Sequence, residues 1–213
     1  MSDRLSLYND ALLIAGERAL SSLTENVPPR YLLDQVWQSG GVKTCLEEGQ
    51  WFFAMRTERI DYEPSITPTF GYAYAFTKPD DWVLTSSLAA DEFFRSPLTQ
   101  YVDEAGYWYS SLQTIYVRFV SNHVNYGMNL ALWPQSFSEF VASHLAYKVI
   151  LKLSSDDKRL EDVIKLRKHL LLMAKSRSAM AEPTKFKPPG MWVLSRTRGV
   201  NRRDGGGTGN LIG

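Results

Sequence analysis

Three histidines, one cysteine and a series of adjacent acid pairs are the residues of this 213-residue chain whose types suit chemistry. His123, His144 and His169 lie far apart, none at the i, i+4 spacing of a helical metal site, and the chain has no HExxH. His144 and His169 can meet across a helical hairpin, but with no further ligands in range they read as packing or surface residues. Glycosidases need only two carboxyls at the right separation, so Glu47-Glu48, Asp80-Asp81, Asp91-Glu92, Asp103-Glu104 and Asp156-Asp157 are the acids to weigh. Nothing in their surroundings singles one pair out, and adjacent acids are common on surfaces and at helix caps. GxSxG, Walker A and GxGxxG are absent, and "GGGTG" at 205–209 lacks the lysine and following helix of a phosphate-cradling loop. Cys45, beside Val42 and Leu46, reads as a buried thiol. The residues therefore assign no catalytic, cofactor-binding or metal site.

Aromatic residues form the other surplus. Tyr72, Tyr74, Tyr101, Tyr107, Trp108, Tyr109, Tyr116 and Tyr126 crowd one region. Stacking on single-stranded nucleic acid would need cations beside them to track phosphate, and this region is poor in Lys and Arg. Core packing and protein–protein contact are the uses that fit.

The elements that position these residues change character along the chain. Leu5, Tyr8, Ala11, Leu12 and Ala15 recur at helical spacing, and Gly16 follows as a left-handed stop. Pro29 opens a second helix as its first residue, and Leu32, Leu33, Val36, Trp37, Cys45 and Leu46 carry its apolar face past an interruption at Gly40-Gly41. From Trp51 to about Asn122 short strands are expected at "TERIDYEP", "FGYAYAFT", "WVLTSSLA", "YWYSS" and "TIYVRFVS", with Asp103-Glu104-Ala105-Gly106 among the turns between them. In the last strand Ile115, Val117 and Phe119 alternate with Tyr116, Arg118 and Val120, which predicts antiparallel pairing in a small sheet or sandwich. Ser136 to Glu139 fits a capping box, followed by a stripe of Phe137, Phe140, Val141, Leu145, Val149 and Leu153. A longer helix places Leu160, Val163, Ile164, Leu170, Leu171 and Ala174 on one side, opened by Asp156 and Asp157 and closing on Lys175 and Arg177. These two helices are expected to form a hairpin packed on the first two.

The predicted class is α+β: an antiparallel helical bundle with an inserted small β-rich module and an extended C-terminal arm. Residues 1–50 form the N-terminal part of the bundle, 51–133 the inserted module, 134–182 the hairpin that completes the bundle, and 183–213 the arm. The arm holds the apolar stretch Met191, Trp192, Val193 and Leu194. Lys185, Lys187, Arg196, Arg198, Arg202 and Arg203 face only Asp204 there, before the chain ends in "DGGGTGNLIG". A segment of this composition has much backbone entropy to lose and little to bury, so by itself it reads either as a disordered terminus or as an arm that orders where a partner supplies the surface.

Composition limits the partners. The charge is +1, 24 Lys and Arg against 23 Asp and Glu, so basic character is local to the arm. No run approaches the roughly 18 apolar residues of a membrane span, and the N-terminus does not read as a signal peptide. A single cysteine fits a reducing compartment such as a cytoplasm.

Taken in order, several segments resemble the tail tubular protein A family, the head-to-tail adaptors of short-tailed bacteriophages. They are "LSLYNDALLIAGERALSSLTEN", "GQWFFAMR", "FTKPDDWVL", "YVRFVSN", "WPQSFSEFVASHLAYKVI" and "AEPTKFKPPGMWVLSRTRG", whose order and spacing run from Leu5 to Gly199. Gly40-Gly41 and the glycine-rich ending are not among the features that carry the likeness. The resemblance implies a structural virion protein of the tail or neck, present in the host cytoplasm during assembly. It implies a homo-oligomeric, dodecameric ring that joins the portal protein to a tail nozzle similar to tail tubular protein B. Genomic DNA would pass through its channel without sequence-specific binding. It also implies that the C-terminal arm engages the portal, with Met191 to Leu194 as the apolar anchor and Arg196, Arg198, Arg202 and Arg203 meeting acidic surface. Two other readings stay open: a virion-associated peptidoglycan hydrolase using two of the acids above, and a DNA-binding protein using the basic arm.

Overall fold

The first helix is bounded by local chemistry at both ends. The Asp3 carboxylate accepts from the backbone N–H of Ser6, and the Ser6 hydroxyl accepts from the backbone N–H of Asp3, which satisfies two donors that a helix start leaves free. Helix α1 (Arg4–Ala15) then runs to Gly16, whose left-handed backbone (φ 76°) stops it. The computed structural model describes residues 3–104, 106–153 and 156–181. Leu7, Tyr8, Ala11, Leu12 and Ala15 are buried along α1, so its apolar face is broader than the expected stripe, which began at Leu5 and omitted Leu7.

The second helical stretch is two helices rather than one interrupted helix. Helix α2 (Pro28–Gln38) begins one residue before the expected Pro29, and α3 (Gly41–Glu47) follows a complete break. Gly40 sits at φ 89°, a conformation other residues rarely adopt, and a Cβ on Gly41 would come within 2.8 Å of the Val36 carbonyl oxygen.

A 3-10 turn (Phe52–Ala54) leads into two three-stranded antiparallel sheets. The first, ordered β1-β6-β3, contains β1 (Met55–Asp61), β6 (Thr114–Ser121) and β3 (Trp82–Ala89). β1 and β6 pair without interruption from Met55 opposite Val120 to Asp61 opposite Thr114. The second, ordered β2-β5-β4, contains β2 (Tyr74–Thr77), β5 (Tyr107–Ser110) and β4 (Val102–Glu104). Phe76 and Trp108 from the second sheet meet Leu88, Ile115, Val117 and Phe119 from the first, so the sheets share a core. The alternation expected of β6 divides its side chains between two cores. Ile115, Val117 and Phe119 face the sandwich, whereas Val120 packs with the helices.

Strand β4 takes Asp103 and Glu104 out of the turn expected over residues 103–106, while Gly106, at φ 82°, keeps its place in the turn before β5. The Asp103 carboxylate accepts from Lys78, from the Thr85 hydroxyl at 2.6 Å and from the Trp108 indole N–H at 3.1 Å, so its acid bonds across the sandwich instead of ending a strand. The stretch expected as a strand from Phe70 pairs only from Tyr74 onward.

Helix α4 (Gln135–Leu153) begins at Gln135, not behind a Ser136 cap. The Pro134 carbonyl accepts from the N–H groups of Phe137 and Ser138, Ser136 is buried within the first turn, and Glu139 accepts from Gln135. α4 packs against each of α1, α2, α3 and α5 (Asp157–Ala181), and twelve of its nineteen residues are buried, well beyond the single stripe expected. In α5 only Val163, Ala174 and Ser178 are fully buried, with Leu160, Leu170 and Leu171 partly so. Five helices and two small antiparallel sheets make the described chain an α+β protein.

Candidate interaction surfaces

Most of the polar chemistry is spent on holding elements together. Asp34 on α2 accepts from Arg4 and Tyr8 of α1 and from Arg30 one turn before it. Burial, only partly offset by Arg4, pushes the Tyr8 hydroxyl up to about 12, so it stays a donor at any ordinary pH. Asp81 accepts two bonds from Arg56, at 2.8 and 2.9 Å, and one from Ser121, which ties β1 and β6 to the entry of β3. Burial alone would raise Asp81, but Ser121 and Arg56 outweigh it and hold the carboxyl below its ordinary range. The same balance, with Lys78 and Thr85 as the favourable partners, applies to Asp103.

His144 does not meet His169, which is exposed. Its Nδ1 accepts from Arg167 Nε at 3.1 Å, and Arg167 also bonds Glu48, so this trio joins α4, α5 and α3. His144 is 2% exposed, and burial first, then the Arg167 and Lys148 charges, lower its pKa to about 4. It is neutral at physiological pH. Its Nε2 has no hydrogen-bond partner among the described residues.

One acid of each pair weighed for hydrolysis has a structural bond. Glu48, Asp81 and Asp103 are ion-paired, Asp91 bonds two backbone N–H groups, and Asp156 accepts from the N–H of Lys158 at the start of α5. Cys45 is fully buried, and burial raises its thiol well above the ordinary range. Among the described residues no group of three or more His, Cys, Asp or Glu is placed to hold a metal ion, and no helix is long and apolar enough to cross a membrane.

Among the described residues, two of the exposed apolar features lie beside charged groups. A groove of about 310 Å³ opens between α1, α4 and α5, with Leu13, Ile14, Ala142 and Leu170 as its apolar lining and Asp10 and Glu139 as its charged residues. Leu13 is 78% exposed, and Leu166 and Met173, one turn either side of Leu170, are exposed as well. Burial and the neighbouring Glu139 charge raise the Asp10 carboxyl, as expected of two acids sharing a site. Sequence reasoning missed this pair, because residues 129 positions apart leave no local signal.

The second feature is the loop after β3. Asp91 accepts from the backbone N–H groups of Arg95 at 3.0 Å and Ser96 at 2.6 Å, and those bonds hold its carboxyl below the ordinary range. Ala90 N–H bonds the Ser96 carbonyl, and Leu98 N–H bonds that of Leu88. Within this frame Phe94 takes φ 55°, unusual for a bulky residue, and Phe93 stands 67% exposed with the Arg95 guanidinium 5.1 Å from its ring centre.

The arm residues Met191, Trp192, Val193, Leu194, Arg196, Arg198, Arg202 and Arg203 lie outside the described residues. No protein-family model matches the chain, and no curated protein matches it.

Proposed function

We propose that the chain is the head-to-tail adaptor of a short-tailed phage, a structural protein without a catalytic role. The observation that carries this reading is the ordered series of family-like segments from Leu5 to Gly199. The described elements are consistent with it. The first of those segments spans α1, "GQWFFAMR" leads through the 3-10 turn into β1, "FTKPDDWVL" joins β2 to β3, "YVRFVSN" lies in β6, and "WPQSFSEF" opens α4. The use of the acids as ties between elements, and of two solvent-facing apolar features, also suits a protein whose work is contact.

In this reading the helices form an antiparallel bundle with the β module inserted, and residues 183–213 extend as an arm. Subunits assemble as a dodecameric ring between portal and nozzle in the virion's neck, around a channel for the genome. Met191 to Leu194 anchor in a portal groove, while Arg196, Arg198, Arg202 and Arg203 meet acidic portal surface. Fixing each arm residue costs about 1 kcal/mol or more, so one arm binds weakly and a ring presenting many arms at once binds durably.

The test is electron microscopy of the cognate portal mixed with the full chain or with a chain ending at Glu182. The reading expects a ring of added density on the portal that the truncation loses. Density with both chains reassigns the contact to the body, and density with neither refutes the adaptor role. Purified cell wall should stay intact on incubation with the protein, and lysis would instead support the hydrolase.

A further inference from the structure

A closed ring requires each subunit to offer two different surfaces, one to each neighbour. The described residues include two exposed features of complementary shape and chemistry. One is the projecting Phe93 with Arg95 stacked on it; the other is the apolar groove flanked by Asp10 and Glu139. We propose that Phe93 of one copy inserts into the groove between α1, α4 and α5 of the next copy, with Arg95 placed against Asp10 and Glu139.

Three observations support this occupant. First, the loop is pre-organised. Asp91 and the flanking backbone bonds hold Phe93 outward, and the left-handed Phe94 is the kind of backbone outlier that persists where a protein presents something. An aromatic side chain held rigidly before contact has little entropy left to lose on binding. Second, the groove is large enough for an aromatic ring, and Leu13 and Leu170 line it. Aromatic and arginine anchors filling such pockets carry most of the energy of protein interfaces. Third, the groove's two charged residues are both acids with no cation in the lining, and the loop delivers a cation beside its ring. Arg95 removes the repulsion between Asp10 and Glu139 at the moment the apolar surfaces meet.

In the ring reading the contact is head-to-tail. β3 leaves the helical core, where Val83 packs, and ends at Ala89 beside the sandwich, so the loop projects from the end of the β module remote from the groove. A loop and a groove on different parts of the subunit can pair reciprocally in an antiparallel dimer or once per neighbour in a ring or filament, and association that continues past the dimer marks the second.

This inference rests on the reading of the chain as a self-assembling ring, but its test needs no portal. Sedimentation velocity of the full chain over rising concentration should show self-association. Phe93→Ser should weaken it at least about tenfold, the loss typical of an interface anchor. Arg95→Glu should weaken it too, and Asp10→Lys in the same chain should restore it, while Glu92→Gln should leave it unchanged. All these residues are exposed or half-exposed, and circular dichroism checks that each variant folds. In parallel, a Glu92→Cys chain and a Gln135→Cys chain, each keeping Phe93 and the apolar lining, treated with a short bis-maleimide should cross-link when mixed and not when alone, with buried Cys45 silent. A wild-type chain that stays monomeric and gives no mixed cross-link overturns the proposal. So does association indifferent to Phe93→Ser and Arg95→Glu, or a Glu92→Cys chain that cross-links to itself. Portal binding that fails while the mixed cross-link forms would refute the adaptor role and leave this contact standing.

Discussion

Replacing His144 with asparagine should remove a large part of the protein's sensitivity to mild acid. The fold holds His144 neutral, with a pKa near 4 against an ordinary 6.5. The unfolded chain therefore takes up a proton on this ring from about pH 6.5 downward, whereas the folded chain takes it up only near pH 4. Stability falls wherever the unfolded state binds more protons, so the contribution is present at pH 7.5 and is lost as the pH drops through that window. Each tenfold difference in proton affinity is about 1.4 kcal/mol, which puts the loss between pH 7.5 and 4.5 at about 2.5 kcal/mol. Asparagine places a carbonyl oxygen where Nδ1 now accepts from Arg167, so the tie to α5 survives without a titrating group. The assay is urea unfolding of wild type and His144→Asn at half-unit steps of pH, compared as the difference between the two. Asp81 and Asp103, both held below their ordinary range, lose their contribution only as the pH falls through the carboxylate range and below, and they do so equally in both proteins. Parallel stability curves from pH 7.5 to 4.5 would refute the reasoning, because they would mean that the folded ring is as easily protonated as the unfolded one.

Asp34→Ala leaves Arg4, Arg30 and Tyr8 facing one another without their shared acceptor, and should cost about 2–4 kcal/mol in denaturant unfolding. Gly127→Ala would drive a Cβ onto the Ser121 carbonyl oxygen and within 2.9 Å of Leu46, so a thermal melt should drop by the equivalent of about 2–4 kcal/mol. Gly71→Ala, with nothing within 4 Å of the new carbon, should melt like wild type apart from the smaller backbone-entropy effect. Phe119→Ala opens a cavity between the sheets and should cost about 3–5 kcal/mol by urea titration.

Where neighbouring residues decide an element, the sequence announces it. β3 and β6 occupy the expected "WVLTSSLA" and "TIYVRFVS" because β-branched residues and turn-forming neighbours bound them, and α1 stops at Gly16 because the left-handed turn needs no partner. Where distant residues decide, the local signal misleads. Asp103 has the composition of a turn, yet Lys78, Thr85 and Trp108 hold it in a strand. Ser136 looks like a cap, yet the chain's approach through Pro134 starts the helix earlier. Leu7 falls outside a narrow stripe and is nonetheless buried, because surrounding elements cover a wide face of α1. The candidate surfaces were the least legible part. The exposed apolar residues of the groove come from three helices, and the outward set of Phe93 depends on backbone bonds to Asp91 that its composition does not announce.

Strand β6 is paired on both edges and contributes side chains to both cores, which sets the order in which the protein loosens. Its amides are released only when the sandwich and the helices give way together, so in deuterated water they should be among the last to exchange, alongside those of α4. The loop that carries Phe93, by contrast, is fixed by its own bonds to Asp91 and by Leu98 against the sandwich, so it keeps its set while Phe93 stays outside both cores. Opening of the sandwich and of the helices is linked through the one strand β6, and the subunit's two halves keep one fixed alignment.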